Sequence, residues 1–226
     1  MATRVNFETE SYEGEALNAG ELSLLREQLM MLAGSSALLR VLFQENQKRI
    51  EGAAEVAKNL LGAPFRGLSS ADSEFGFQLI RPQHVRRTTA ATEATAETWN
   101  FTFTANADYW LGFGTDNTTA LNIDKRALVV PLGVAFTNGG QPLVEELLLQ
   151  VGATTFPVVV LRHAWLADNA NQVRFVPIRP NIWIPKQTVL GQVYSYAAGD
   201  NQLVLLGITF AKGDLLRAQN PTAIQT

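Results

Sequence analysis

The sequence contains no cysteine, which excludes disulfides, thiolate nucleophiles and every cysteine-based metal site. Charged residues are scarce as well, at 17% of the chain, compared with roughly 25% in typical soluble domains. The net charge is −3, whereas binding to phosphates requires a concentrated excess of Lys and Arg, so the composition predicts no direct contact with nucleic acid. A surface with so few charges is typical of proteins that bury much of it against partners.

Long apolar segments are missing too. The longest uncharged run, from Ala127 to Val144, is interrupted by prolines, glycines and an asparagine, so it predicts no membrane span. The N-terminal stretch MATRVNFETESYEGE is acidic and lacks the apolar part of a secretory signal peptide, which argues against export by the Sec route.

Residues that could carry chemistry are few and do not form a catalytic set. His84 and His163 are not spaced with a second metal ligand. Glu145 and Glu146 are neighbours in a predicted strand, so their carboxylates would lie on opposite faces and could not flank one bond. We therefore predict that the chain is not an enzyme and holds no metal and no cofactor. The other candidates lack the spacing of a binding motif: the oxygen-bearing side chains Asp116, Asn117, Asn122 and Asp124, the glycines Gly112 and Gly114, and the basic cluster Arg81, Arg86 and Arg87.

Residues 1–63 are predicted to form an extended and helical N-terminal arm. Residues 1–19 are polar and acidic without sustained periodicity, which is typical of an extended segment ordered by contact with something else. Helical periodicity begins at about Glu21 and ends at Gly34, where Ser35 and Ser36 offer N-caps for a second helix. The apolar positions of the first helix are Leu22, Leu25, Leu29 and Leu32.

The second helix is predicted to run without a break from Ala37 to the Gly62-Ala63-Pro64 stop, roughly 25 residues or about 40 Å. Its narrow apolar stripe must be buried, and an intrachain helical hairpin and an arm reaching a neighbouring subunit both fit the pattern. We assign the stripe as a candidate assembly interface. Its members are Leu39, Phe43, Ile50, Ala53, Ala57 and Leu60.

From Pro64 onward the pattern changes, and residues 64–226 are predicted to form an antiparallel β-sandwich. Trp99, Phe101 and Phe103 alternate with polar residues, as in a strand with one buried face. The spacing of the strands fits a jelly roll or an immunoglobulin-like sandwich. The predicted strands are Glu74–Ile80, Trp99–Phe103, Tyr109–Gly114, Ala127–Phe136, Leu143–Val151, Phe156–Trp165, Val173–Ile178, Thr188–Ala197 and Leu203–Ala211.

Turn residues and prolines set the predicted strand boundaries. The segments Asp168–Asn171 and Ala198–Asn201 are predicted to be tight hairpins. A proline cannot donate to a β-ladder, so the prolines within or beside strands should lie at strand ends, edges or bulges. They are Pro131, Pro157, Pro177, Pro180 and Pro185.

The tryptophans support a second functional hypothesis. Trp99 and Trp183 have apolar neighbours and are predicted to lie in the core, whereas Trp110, Trp165 and Tyr194 could form an exposed row on one face. Such a row would suit a carbohydrate-binding β-sandwich module with a helical oligomerisation stalk.

The C-terminal run RPNIWIPKQTVL, from Arg179 to Leu190, and the strand containing Leu206 to Phe210 resemble jelly-roll capsid and capsid-decoration (cement) proteins of bacterial viruses. The resemblance covers roughly the last 130 residues in the style and order of elements, and no family residue can be carried over. It implies a mainly β, jelly-roll-like fold with an α-helical N-terminal arm. It also implies a structural virion protein, either a capsid subunit or a decoration protein, that is assembled in the host cytoplasm and contacts itself and other capsid proteins as a homo-oligomer.

Overall fold

A computed structural model describes residues 2–7, 10–68, 71–81, 100–103, 105–110, 121–136, 143–155, 159–160, 174–178 and 182–218. Helices dominate up to Leu61 and strands dominate after it, which confirms a mainly β body preceded by helices. The helices are α1 (Ala19–Ala33), α2 (Ala37–Glu45), α3 (Gln47–Leu61) and α4 (Gly213–Ala218). The strands are β1 (Ala2–Phe7), β2 (Glu10–Glu15), β3 (Phe65–Gly67), β4 (Phe75–Leu79), β5 (Asn100–Phe103), β6 (Ala107–Trp110), β7 (Leu121–Asn122), β8 (Ala127–Phe136), β9 (Val144–Val151), β10 (Thr154–Thr155), β11 (Val159–Val160), β12 (Arg174–Pro177), β13 (Thr188–Ser195) and β14 (Gly199–Lys212).

The strands after Leu61 form two sheets. The central sheet has the order β12-β8-β14-β4-β3, with β5 pairing on β14 beyond the end of β4. Its strands are antiparallel apart from the short parallel pair β3 and β4. The outer sheet has the order β10-β9-β13-β6, with β11 also on β9 and β7 also on β13, all antiparallel. The two sheets pack face to face, because their inward residues belong to one hydrophobic cluster.

We call the cluster between the two sheets the inner core. Val129, Val134 and Leu205 of the central sheet meet Leu147 and Val193 of the outer sheet there. Side chains alternate between the two faces of a strand, so the neighbouring residues of the central sheet face the other way.

Those neighbours form a second cluster, the helix-side core, which is buried beneath α1, α2 and α3. We refer to these three helices as the helical layer. At the centre of this core lie four phenylalanines of the central sheet, with ring centroids 5.2 to 6.4 Å apart. They are Phe65, Phe75, Phe77 and Phe210, and each is at most 2% exposed.

A bulge in β8 changes which core the side chains of successive residues face. The pairing with β14 passes from Leu206 opposite Gly133 to Gly207 opposite Pro131, so Leu132 has no residue directly opposite it. The extra residue reverses the alternation, and Leu132 lies in the helix-side core whereas Val134 lies in the inner core.

Three of these prolines are described, and their positions confirm the prediction for strand prolines. Pro185 lies in the turn before β13. Pro131 lies at the β8 bulge, and Pro177 is the last residue of the edge strand β12. Neither position requires a backbone N–H for the ladder. Pro157 and Pro180 lie outside the described residues.

Three predictions about the elements are wrong. The helix predicted from Ala37 to Leu61 is two helices separated at Asn46. The Asn46 backbone departs from helical geometry (φ −104°, ψ 12°), although its N–H still donates to the Leu42 carbonyl at 3.1 Å, and its side chain donates to the same carbonyl at 2.9 Å. The segment predicted to be extended and ordered only by contact with something else instead pairs with itself, in a hairpin of β1 and β2. The tight hairpin predicted at Ala198–Asn201 is a crossover, because β13 belongs to the outer sheet and β14 to the central sheet.

Candidate assembly surface

The helical layer presents its apolar stripe to the central sheet of the same chain. Phe43, Ile50, Ala53 and Ala57 are each 0% exposed and belong to the helix-side core. The assignment of these four residues to an interface between subunits is therefore corrected, since the folded chain has already buried them. Of the predicted interface, Leu39 is partly buried against the same core and Leu60 remains 44% exposed.

Other apolar side chains of the helical layer face outward. Met31 is 64% exposed, Val41 is 50% exposed and Met30 is 38% exposed. Together with Leu60 they are the exposed large hydrophobic side chains of the described residues, and all of them lie on α1, α2 or α3. An apolar cluster confined to one layer of a protein is typical of a protein-binding surface.

Met30, Met31 and Val41 flank the same bend in the chain, and we call these three residues the apolar corner. The bend is formed by Gly34, which ends α1, and its carbonyl accepts a hydrogen bond from the Arg40 Nε at 2.9 Å. Ser36 then caps α2 by accepting from the Leu39 N–H at 3.3 Å. These contacts hold the end of α1 beside the start of α2.

The N-terminal hairpin is attached to α3 through backbone contacts. The Asn59 side chain accepts from the Glu15 N–H at 2.8 Å and donates to the Glu15 carbonyl at 3.1 Å. Lys58, which is largely buried, donates to Glu21 at 3.1 Å and to the Ala16 carbonyl at 3.3 Å. These hydrogen bonds attach the base of the hairpin to the helical layer.

The charge of the chain is concentrated in this hairpin region. Residues 1–15 contain one arginine and four glutamates, so their charge of −3 equals that of the whole chain. The remaining residues are therefore balanced in charge. An acidic partner would be repelled by the net negative charge of this region, so a partner of this region should be neutral or basic.

Two glutamates of α3 experience opposite environments. A 2.6 Å contact with the Arg26 Nε lowers the pKa of Glu51, with burial opposing the shift. Burial raises the pKa of Glu55, although a hydrogen bond from the Leu17 backbone opposes that shift. Glu51 links α3 to α1 through Arg26, whereas Glu55 accepts from the Leu17 backbone just before α1.

The residues considered for metal binding do not form a site in the described part of the chain. No group of three His, Asp or Glu side chains within it could hold a metal ion. Asp124 instead pairs with Arg126 at 3.0 Å, and Arg126 also binds Asp214 of α4 at 2.7 Å. His84, His163, Asp116 and Asn117 lie outside the described residues, as do Gly112, Gly114, Arg86 and Arg87.

The predicted aromatic row is described only in part. The pairing of β13 with β6 sets Trp110 opposite Gln192 and Asp108 opposite Tyr194. The Tyr194 hydroxyl donates to the Asn106 Oδ1 at 3.0 Å. Trp183 is 3% exposed in the inner core, which confirms its predicted burial, whereas Trp99 and Trp165 lie outside the described residues.

No protein family, curated protein sequence or solved structure matches the chain. In the described part of the chain, no helix combines the length and the apolar character needed to cross a membrane.

Sequence reasoning missed the apolar corner because it read α1 as having a single apolar face. Met30 and Met31 lie off the buried stripe of Leu25 and Leu29, and these two positions were a readable signal of a second, exposed apolar surface. The capping box of α1 was readable too, since Asn18 and Glu21 have the required spacing and exchange hydrogen bonds of 2.9 Å.

Proposed function

We propose that the chain is a structural protein of a virus particle, either a capsid subunit or a capsid-stabilising decoration protein. It acts by assembling with itself and with other capsid proteins and has no catalytic role. The pairing of the strands is the observation that carries the proposal, and the exposed apolar surface of the helical layer supports it.

The strand pairing supports a jelly roll. The short parallel strand β3 at the edge of the central sheet is left out of this count. If β4 with β5, β6 with β7, and β10 with β11 are each counted as one position, the remaining strands of the two sheets hold eight positions in chain order. The first position pairs with the eighth, the second with the seventh, the third with the sixth and the fourth with the fifth. This pairing, of a long hairpin folded into two facing sheets, supports the jelly-roll arrangement that many viral capsid domains have. An immunoglobulin-like sandwich instead has the strand orders ABED and CFG.

The helical layer supports assembly through one face of this sandwich. It covers the side of the central sheet that faces away from the outer sheet, so its exposed residues form a separate face of the molecule. Met31 and Val41 contribute exposed apolar area there, since Met31 is 64% exposed and Val41 is 50% exposed. A second copy or another capsid protein that covers them gains roughly 25 cal/mol for each Å² of apolar surface removed from water.

Electron microscopy of the purified chain, alone and mixed with candidate capsid lattices, tests the proposal. We expect rings, shells or regular decoration of uniform size. Single chains at every concentration, together with no binding to any lattice, would contradict a structural role in a particle.

The outer sheet favours a second candidate function, carbohydrate binding. Its pairing brings Trp110 and Tyr194 to neighbouring strands, and Asn106 fixes the Tyr194 hydroxyl. Jelly rolls also occur in lectin domains. A glycan microarray with the wild-type chain and the Tyr194→Ala variant tests this candidate, which requires a signal that the variant loses.

A further inference from the structure

Four buried side-chain polar atoms have no hydrogen-bond partner among the described residues, and three of them lie in one place; the fourth is the Asp214 Oδ1 of α4. The Thr209 hydroxyl, the Gln78 Oε1 and the Trp183 Nε1 are all buried in this way. Thr209 is 1% exposed and Trp183 is 3% exposed. A buried polar group left unpaired costs roughly 1–3 kcal/mol, so three of them close together require an explanation.

The three residues lie in a single row across the central sheet. Thr209 of β14 is directly opposite Gln78 of β4 on one side and Val129 of β8 on the other. Val129 is in turn bridged to Trp183. The row therefore runs Trp183, Val129, Thr209, Gln78, perpendicular to the strands.

The row faces the inner core. Val129 and Trp183 belong to the inner core, whereas Phe210 and Phe77, the chain neighbours of Thr209 and Gln78, belong to the helix-side core. Because side chains alternate along a strand, the Thr209 and Gln78 side chains point into the space between the two sheets. Directly opposite residues have Cβ atoms about 4.5–5.5 Å apart, so the two polar groups are neighbours.

The next row on the same face contains only small residues. Gly76, Ala211 and Ala127 are directly opposite one another there. Side chains of this size fill less of the space beside the polar row than larger ones would, and an internal water requires a polar lining with room beside it.

We propose that ordered water occupies the inner core over this row and bridges the Thr209 hydroxyl to the Gln78 Oε1. One water spans two polar atoms separated by about 5–6 Å, because each hydrogen bond is about 2.8 Å long. The bridge gives the buried hydroxyl and amide oxygen their missing partners and ties β4 to β14 at a fixed register. Water that extends along the row provides an acceptor for the Trp183 indole N–H.

The Thr209→Val variant separates a hydrated row from a dry one by the sign of its effect. Valine has the shape of threonine without the hydroxyl. In a hydrated row it breaks the bridge and leaves the Gln78 oxygen short of a partner, so the unfolding equilibrium constant should rise by about 5- to 150-fold. In a dry row it removes an unpaired hydroxyl, so the unfolding equilibrium constant should fall.

The experiment combines urea unfolding with oxygen-17 relaxation dispersion, which counts long-lived internal waters. Thr155→Val is the matched control, since Thr155 is an exposed strand residue. We expect Thr209→Val to unfold more readily and to lose at least one long-lived water, and Thr209→Ser to keep that water. If Thr209→Val does not fold, Gln78→Met removes the other end of the bridge and should lose the same water. An unchanged water count in the folded variant, with stability equal to or above wild type, would overturn the proposal.

Discussion

At the scale of single residues, burial separates side chains that look alike in the sequence. Phe43 and Met31 are both large apolar residues of the helical layer, yet Phe43 is 0% exposed and Met31 is 64% exposed. The first contributes to folding of the chain, whereas the second has apolar surface left for a partner. Their substitutions should therefore affect different properties.

Replacing Phe43 by Ala should lower the free energy of unfolding by about 3–5 kcal/mol, because the helix-side core cannot fill the cavity. Met31→Ala, in the same layer, should change it by no more than about 0.5 kcal/mol. Urea unfolding followed by circular dichroism measures both. Equal effects of the two substitutions would mean that the helical layer does not pack on the sheet as described.

A second residue-scale prediction concerns Gly67, which has a positive φ of 74° in β3. A Cβ there would lie 1.7 Å from the Gln28 Oε1, which accepts the Leu68 N–H at 2.7 Å. Gly67→Ala should therefore destabilise the chain by more than about 1 kcal/mol.

Gly62→Ala is the matched control for this substitution. Gly62 has a similar φ of 58°, but its Cβ would meet nothing within 4 Å. The difference between the two variants in thermal unfolding isolates the clash with Gln28. If both variants have the same melting temperature, the contact between α1 and β3 is not as close as described.

Periodicity predicts which residues are apolar and regularly spaced, but not which of two apolar surfaces a helix buries. The buried positions Leu25 and Leu29 of α1 were found in this way, since they share one stripe. The Gln28 contact with Leu68 was not, because it joins residues 40 positions apart through a side chain with no sequence signature.

At the scale of elements, local signals predicted the helix ends and tertiary contacts determined the rest. The predicted helix ends are confirmed: α1 ends at Gly34, α2 is capped by Ser36 and α3 ends at Gly62. Each of these residues supplies hydrogen-bond partners for backbone groups at a helix end through local geometry. The break at Asn46 was missed, since asparagine has only a mild preference against helix and the apolar stripe continues on both sides.

An ion-pair cluster fixes α4 to the turn before β8. Arg126 binds Asp124 and Asp214 together, and its side-chain hydrogen bond is the main cause that lowers the pKa of Asp124. A carboxyl whose pKa is lowered by folding contributes stability above its ordinary pKa of about 3.9 and loses that contribution as the pH falls through the folded value.

The free energy of unfolding should therefore decrease as the pH falls below about 4, and the Asp124→Asn variant should show a shallower decrease. Urea unfolding at a series of acidic pH values measures the slope. Glu146→Gln, which alters an exposed carboxyl of β9, is the control. A slope in Asp124→Asn equal to that of wild type would show that the cluster does not contribute to acid sensitivity.

At the scale of the whole molecule, the sequence predicted most strands but not how they pair. The strand β8 has the predicted bounds, and β4, β9, β12, β13 and β14 differ from prediction by a few residues at their ends. The crossover at Ala198–Asn201 was predicted to be a hairpin because its turn residues are compatible with a hairpin and also with a connection between two sheets. Strands far apart in the chain pair as both hydrophobic cores form, and no local sequence pattern predicts this long-range packing.

The two cores also predict the result of truncation at Pro64. Removing residues 1–63 would expose the helix-side face of the central sheet, including Phe75, Phe77 and Phe210. We expect the truncated chain to aggregate or to lose cooperative unfolding. Removing only residues 1–15 leaves both described cores intact, and this chain should fold. A well-folded monomer from the Pro64 truncation would instead show that the helices form an independent arm.

The chain is proposed to assemble through the exposed face of its helical layer. The most direct test is the mass in solution, by light scattering, of wild type and of the double variant Met31→Glu, Val41→Glu, with Thr155→Glu on the outer sheet as the control. We expect wild type and the control to form a defined oligomer and the double variant to remain a folded single chain. A wild-type monomer that also binds no capsid lattice, or an oligomer that survives both substitutions in the apolar corner, would contradict assembly through this face.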